Sequence, residues 1–196
     1  MIESSTLLLI IALLVGFYMA WNIGANDVAN AMGTSVGSGA LSLKRAVIFA
    51  AVLEFSGAYF LGSNVSQTIQ RGIINPDLFS FDPMILVFGL VASLLAAGVW
   101  LQISSYFGWP VSTTHTIVGA ILGFGLLKGG VSAVYWSKLL SIVASWAVSP
   151  LLGGLVSFAL FMFLKHKIFH CSRPLLKTKK IAQNFSSDEV SFKVNN

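Results

Sequence analysis

The chain has 196 residues, 56% of them hydrophobic and 10% charged, with a mean hydropathy of +0.82; soluble domains carry about 25% charged residues. That balance excludes an ordinary soluble domain and leaves an integral membrane protein, in which apolar stretches of about 20 residues recur as crossing helices. The formal charge of +5 lies entirely in the tail: up to Leu164, Glu3, Asp27, Glu54, Asp77 and Asp82 balance Lys44, Arg45, Arg71, Lys128 and Lys138, and from Lys165 onward seven bases oppose Asp188 and Glu189.

The first apolar run, Leu7 to Trp21, has no basic residues before it and follows Glu3, so it reads as a retained helix and not a cleaved signal. It leads into Gly24-Ala25-Asn26-Asp27-Val28-Ala29-Asn30-Ala31 and then Gly33, Gly37 and Gly39, where an irregular or broken helix is expected. Lys44 and Arg45 mark an interface, and Ala46 to Leu61 forms the second span with Glu54 inside it. Gly62 to Asp82 reads as a polar connection with Asn75-Pro76 and Asp82-Pro83 as turn signals, and Pro83 suits the first turn of a helix. The third span, Met84 to Phe107, stops at Gly108 and Pro110. Thr116 to Leu127 is too short to cross comfortably and reads as a half-helix or re-entrant element opened by the polar turn Ser112 to His115. Val134 to Phe163, interrupted by Pro150, Gly153 and Gly154, is either one kinked span or two half-spans. The architecture is therefore all-α and polytopic, with residues 1–164 as the membrane unit and 165–196 as a basic tail, polar and disordered from Arg173.

The tail fits a cytoplasmic flank under the positive-inside rule and not a nucleic-acid surface. With Lys44 and Arg45 also inside, the N-terminus falls outside and the number of crossings is odd. Cys171 is the single cysteine, which excludes an internal disulfide, and His166, His170 and Cys171 lack a fourth donor for a metal site.

Two clusters carry chemistry. On a helix, Asn26, Asn30 and Gly33 fall at i, i+4 and i+7 with Asp27 beside them; in unwound backbone, freed carbonyls would add to the same oxygens. Carboxylate, amide and carbonyl oxygens suit small hard cations, and a charge near the bilayer centre costs about 2.5 to 3.5 kcal/mol on insertion scales, which calls for a functional reason. The plainer alternative is helix packing through small residues, as Gly33-x-x-x-Gly37 would provide. Ser112, Thr113 and Thr114 open a helical run, where unsatisfied N–H groups and hydroxyls suit an oxyanion; ordinary capping needs one hydroxyl, not three. His115 either contacts the ligand or satisfies a polar turn, and Glu54 reads as a cation or proton site. No Lys or Arg adjoins either cluster, so an oxyanion beside Asp27 needs a cation between them. Cation and anion then bind together, each raising the affinity of the other, which is the physical basis of symport.

Gly24 to Ala31, the run Gly33-Thr34-Ser35-Val36-Gly37-Ser38, and Gly108-Trp109-Pro110-Val111-Ser112-Thr113-Thr114-His115 with Val118-Gly119-Ala120 resemble the signatures of the PiT-type inorganic phosphate transporter family. The similarity extends over most of residues 7 to 164, including Ser145-Trp146 and Ser149-Pro150. It implies cation-coupled phosphate transport driven by Na⁺ or H⁺ in the cell (inner) membrane, with no cofactor. Asn26, Asp27 and Asn30 match the first motif, Ser112, Thr113 and Thr114 the phosphate-contacting turn, and Glu54 a family glutamate. The family carries both motifs twice in inverted halves, whereas this chain carries each once, so a second half or self-association is implied. Three alternatives stand beside that expectation: symport of sulfate or another tetrahedral oxyanion, a non-transporting interaction subunit, and an intramembrane hydrolase using Ser112, His115 and Asp27, which lacks any catalytic sequence context.

Overall fold

The computed structural model describes residues 4–166. The chain divides into two compact units, Met1–Leu140 and Ser141–Asn196. Five α-helices account for most of the described residues: α1 Ser4–Gly37, α2 Leu43–Gly72, α3 Pro83–Tyr106, α4 Thr113–Gly129 and α5 Trp136–Leu164. Among them α1, α2 over Leu43–Ser63, α3 and α5 are long and apolar enough to cross a membrane, which makes this an integral, multi-pass membrane protein. Their outward aromatic and aliphatic side chains, such as Phe17, Trp21, Phe55, Tyr59 and Phe60, are exposed, as lipid-facing residues should be.

The turn chemistry lies where the sequence puts it. The Asn75 side chain accepts from the Asp77 N–H at 3.1 Å and starts the short 3-10 helix Pro76–Phe79; the Asp82 side chain accepts from the Met84 N–H at 3.1 Å and starts α3, with Pro83 in its first turn. Gly108 adopts φ +68°, a left-handed conformation that glycine alone takes without strain, and ends α3 by turning the chain towards Trp109 and Pro110.

Two boundaries differ from the sequence expectation, and one open alternative is decided. α1 runs unbroken through Gly24 to Gly37. Each interior glycine costs about 1 kcal/mol relative to alanine, but unwound backbone in lipid leaves several polar groups unsatisfied, and the second penalty is larger. α2 continues past Leu61 to Gly72, because Ser63 to Gly72 contains no proline to stop it. Residues 136 to 164 form one helix with Pro150 inside it, which selects the single-span alternative. The tail beyond residue 166, with His170, Cys171 and the stretch expected to be disordered, lies outside the described residues.

Within the first unit, α3 and α4 form an antiparallel hairpin. The Ser93 hydroxyl lies 2.8 Å from the Gly89 carbonyl and 3.3 Å from the Ala120 carbonyl, and a Cβ at Gly89 would collide with the Phe124 ring. The base of the hairpin is tied by Phe79 stacked on Phe124 at 5.5 Å and by an isolated antiparallel bridge between Ile74 and Val134, in which the Asn75 N–H donates to the Ala133 carbonyl at 2.8 Å and the Tyr135 N–H to Ile73 at 3.0 Å. α1 lies along α3 in the same direction: Met19 packs with Ala97 and Leu101, flanked by Ile23, Leu94, Val111, Ile117 and Ala120. Gly98 permits that approach, since a Cβ there would sit 2.8 Å from the Tyr18 ring.

The consequence is positional. The hairpin tip, residues 107 to 112, meets α1 at Asn26, eleven residues before α1 ends at Gly37. At 1.5 Å per residue α1 extends about 16 Å beyond the tip, so the polar tip lies beside a continuous helix and not at its end.

Candidate functional site

α1 divides the Gly24 to Ala31 cluster between two faces. Gly24, Ala29 and Gly33 line one side of an apolar groove of about 610 Å³ whose other side includes Ala46 and Val47 of α2. Asn26 and Asn30 point instead to the hairpin tip. The Asn26 Nδ2 donates to the Val111 carbonyl at 2.9 Å and lies 3.1 Å from Asp27 Oδ1, and the Asn30 Nδ2 reaches the same Val111 carbonyl at 3.4 Å. Asn26 is 4% exposed, so its amide sits between α1 and the tip and not in solvent. Packing by small residues and polar chemistry therefore share the cluster, one on each face of the helix.

The other half of the site is the start of α4. Ser112 is the N-cap, with extended backbone, and its Oγ accepts the His115 N–H at 3.3 Å. The first helical N–H groups have no intrahelical partners, so a helix start presents donors and a partial positive charge. Thr113, Thr114 and His115 belong to the first helical turn and not to a loop before it; hydroxyl residues are tolerated there because those N–H groups lack helical partners in any case. The Thr113 Oγ1 donates to Asp27 Oδ2 at 3.3 Å. Ser112 Oγ and Thr114 Oγ1 are 3.0 Å apart, and the His115 ring Nδ1 is 2.6 Å from Ser112 Oγ.

Residues separated by more than 80 positions in sequence thus form one hydrogen-bonded constellation: Asn26, Asp27 and Asn30 of α1 with Val111, Ser112, Thr113, Thr114 and His115 of the tip. It offers hard oxygens for a small cation around Asp27, and hydroxyls with backbone N–H groups for an oxyanion at the α4 start. Asn30, Ser112, Thr114 and His115 are exposed, so the constellation is open on one side. Glu54 stays outside it, exposed on α2.

Two participants were not legible from residue type. Val111 acts through its carbonyl, which no side-chain pattern reveals. Asn22, 2% exposed, donates to the Tyr18 carbonyl at 2.9 Å one turn before Asn26 on the same face; its i, i+4 spacing from Asn26 was the available signal.

Comparison with known proteins identifies the family. A family model described as the phosphate transporter family matches residues 23–193. The inorganic phosphate transporter 2-1, chloroplastic, of Arabidopsis thaliana is 57% identical over 162 residues, covering 83% of this chain and 28% of that protein. A solved structure described as the sodium-dependent phosphate transporter is 47% identical with a TM-score of 0.79, over 87% of this chain and 42% of the other. The chain therefore spans less than half the length of these relatives. With nearly all of its membrane helices inside the matched region, the chain belongs to the phosphate transporter family.

Proposed function

We propose that this chain is one half of a cation-coupled inorganic phosphate transporter, with residues 1–164 forming the membrane part of that half and 165–196 a basic cytoplasmic tail. The observation that carries the reading is the Thr113 hydroxyl lying between the two clusters, donating to Asp27 at 3.3 Å. In that state the hydroxyl proton is held by the carboxylate and is not available to an anion. A cation seated on Asp27, with Asn26 and Asn30 near it, competes for the same carboxylate oxygen and releases Thr113 to donate to phosphate beside Ser112 and Thr114. Cation occupancy thereby prepares the anion site, and by linkage phosphate strengthens cation binding by the same factor. Glu54, the acid inside α2, is the second cation or proton site of this reading.

Sodium is the preferred coupling ion over a proton, because the donor set is oxygen-rich and the similar solved structure is described as sodium-dependent. The polar face left open at Asn30, Ser112 and Thr114 is the place where a second half, from another chain or a second copy, completes the site. The N-terminus lies outside and the tail in the cytoplasm of the cell (inner) membrane, since α1 and α2 join at Lys44 and Arg45 and the tail adds seven bases.

The test is labelled phosphate uptake into vesicles containing this chain, alone and with a partner half, under sodium or proton gradients and with sulfate as competitor. Uptake driven by sodium, weakly inhibited by sulfate and lost in Asp27→Asn while the mutant still inserts in the membrane, is the expected result. Wild-type uptake by Asp27→Asn removes the cation role. Absence of uptake in every assembly favours a non-transporting interaction subunit.

A further inference from the structure

The hydrogen-bond arithmetic at Ser112 assigns a role to His115 that the transport reading leaves open, and the argument rests on that reading. A serine hydroxyl has one proton to donate and two lone pairs with which to accept. Around Ser112 Oγ stand three partners: the His115 backbone N–H at 3.3 Å, the His115 ring Nδ1 at 2.6 Å and Thr114 Oγ1 at 3.0 Å. The backbone N–H can only donate. The other two contacts can run in either direction, and the imidazole tautomer decides which.

If the ring proton is on Nε2, Nδ1 accepts, and the single Ser112 proton is spent on the ring. Thr114 must then donate to Ser112, and neither hydroxyl has a proton left for an anion. Both present lone pairs, which repel an oxyanion. If the ring proton is on Nδ1, Ser112 accepts twice, from the ring and from the backbone. Its own proton passes to Thr114 or directly to the ligand, and in either case one hydroxyl proton points at the anion. An imidazolium also donates through Nδ1 and gives the same polarity, so the device depends on which ring nitrogen carries the proton and not on charge.

We propose that His115 is a positioning residue for the oxyanion: held in the Nδ1–H form, it orients the hydroxyls of Ser112 and Thr114 as donors, and in the Nε2–H form it closes the anion site. The ring acts through Ser112 and need not touch phosphate. Its location suits this, because His115 and Thr116 border an open groove of about 390 Å³ with Trp100 and Ala97, which leaves room beside the ring.

The experiment uses the full chain, in whichever assembly the uptake assay shows to carry phosphate, placed in lipid nanodiscs with ¹⁵N-labelled histidine. Inorganic phosphate is the ligand, and the His115 signal is identified by its loss in His115→Phe. With phosphate bound, the ring is expected to carry its proton on Nδ1, and an Nε2–H tautomer in the bound state overturns the proposal. In binding titrations His115→Phe is expected to weaken phosphate by at least about tenfold, the scale of one hydrogen bond to a charged group. His115→Asn, which can place an N–H donor close to the Nδ1 position, should return to within about threefold of wild type, and sodium affinity should stay unchanged in both. Wild-type phosphate affinity in His115→Phe, no rescue by His115→Asn, or a parallel loss of sodium binding each overturns the positioning role and leaves the transport reading standing. If no assembly carries phosphate, or if the double change Ser112→Ala/Thr114→Val leaves phosphate affinity intact, the oxyanion reading itself falls and takes this proposal with it.

Discussion

Asn26 is the residue that docks the hairpin tip on α1, and its removal gives a sharp expectation. Asn26→Ala deletes the 2.9 Å bond to the Val111 carbonyl and the 3.1 Å contact with Asp27, leaving Val111 with only the longer 3.4 Å bond from Asn30. Only the Val111 bond crosses from α1 to the tip, and hydrogen bonds between membrane helices average about 0.6 kcal/mol and reach about 1.7, so its loss costs about 0.6 to 1.7 kcal/mol. At about 1.4 kcal/mol the population of the undocked tip rises roughly tenfold. The readout is hydrogen exchange in nanodiscs at the tip amides, Trp109 N–H bonded to Ser104 at 2.8 Å and Thr116 N–H bonded to Ser112 at 3.1 Å. Both should exchange roughly tenfold faster in Asn26→Ala, while α5 amides are unchanged. Asn30→Ala, which loses only the weaker bond, should shift them by less than about fivefold. Unchanged tip exchange in Asn26→Ala, or a larger effect from Asn30→Ala, would refute the docking role.

The two threonines should separate the ions. Thr114→Val is expected to weaken phosphate binding about tenfold with cation affinity intact, whereas Thr113→Val, which also removes the partner of Asp27, should change both; identical profiles for the two variants in paired titrations would contradict the assignment. Gly98→Leu drives a side chain into the Tyr18 ring, where even a Cβ would sit at 2.8 Å, and should destabilise the α1–α3 contact by about 1 to 3 kcal/mol, read as a lower thermal midpoint in detergent; an unchanged midpoint would mean the two helices are not packed this closely.

Much of this organisation was legible because membranes restrict the alternatives. Asn75-Pro76, Asp82-Pro83 and Gly108 punctuate the chain by local chemistry that tertiary packing does not override, and each lies at an observed boundary. The helix through Gly24 to Gly37 was harder. Propensity argues for a break there, and the backbone's need for hydrogen bonds in lipid prevails. The polar residues of both motifs meet, but the sequence could not supply the atom that joins them. A main-chain carbonyl at Val111 leaves no trace in residue type, and the pairing of Asn26 with it spans 85 positions.

The charge arrangement then constrains the mechanism further than either motif does alone. Asp27 is one bond from Thr113, and Thr113 begins the helix whose free N–H groups would receive the anion. A carboxylate that close to an oxyanion site opposes phosphate when the cation is absent and favours it when the cation is present, because the same oxygen that repels the anion is the one that holds the cation. A lysine or arginine at this position would bind phosphate without a co-ion and would hold it too independently to be coupled. On the proposed function, the absence of any such base from either motif belongs to the logic of coupling: the positive charge that balances phosphate would have to arrive, and leave, with it.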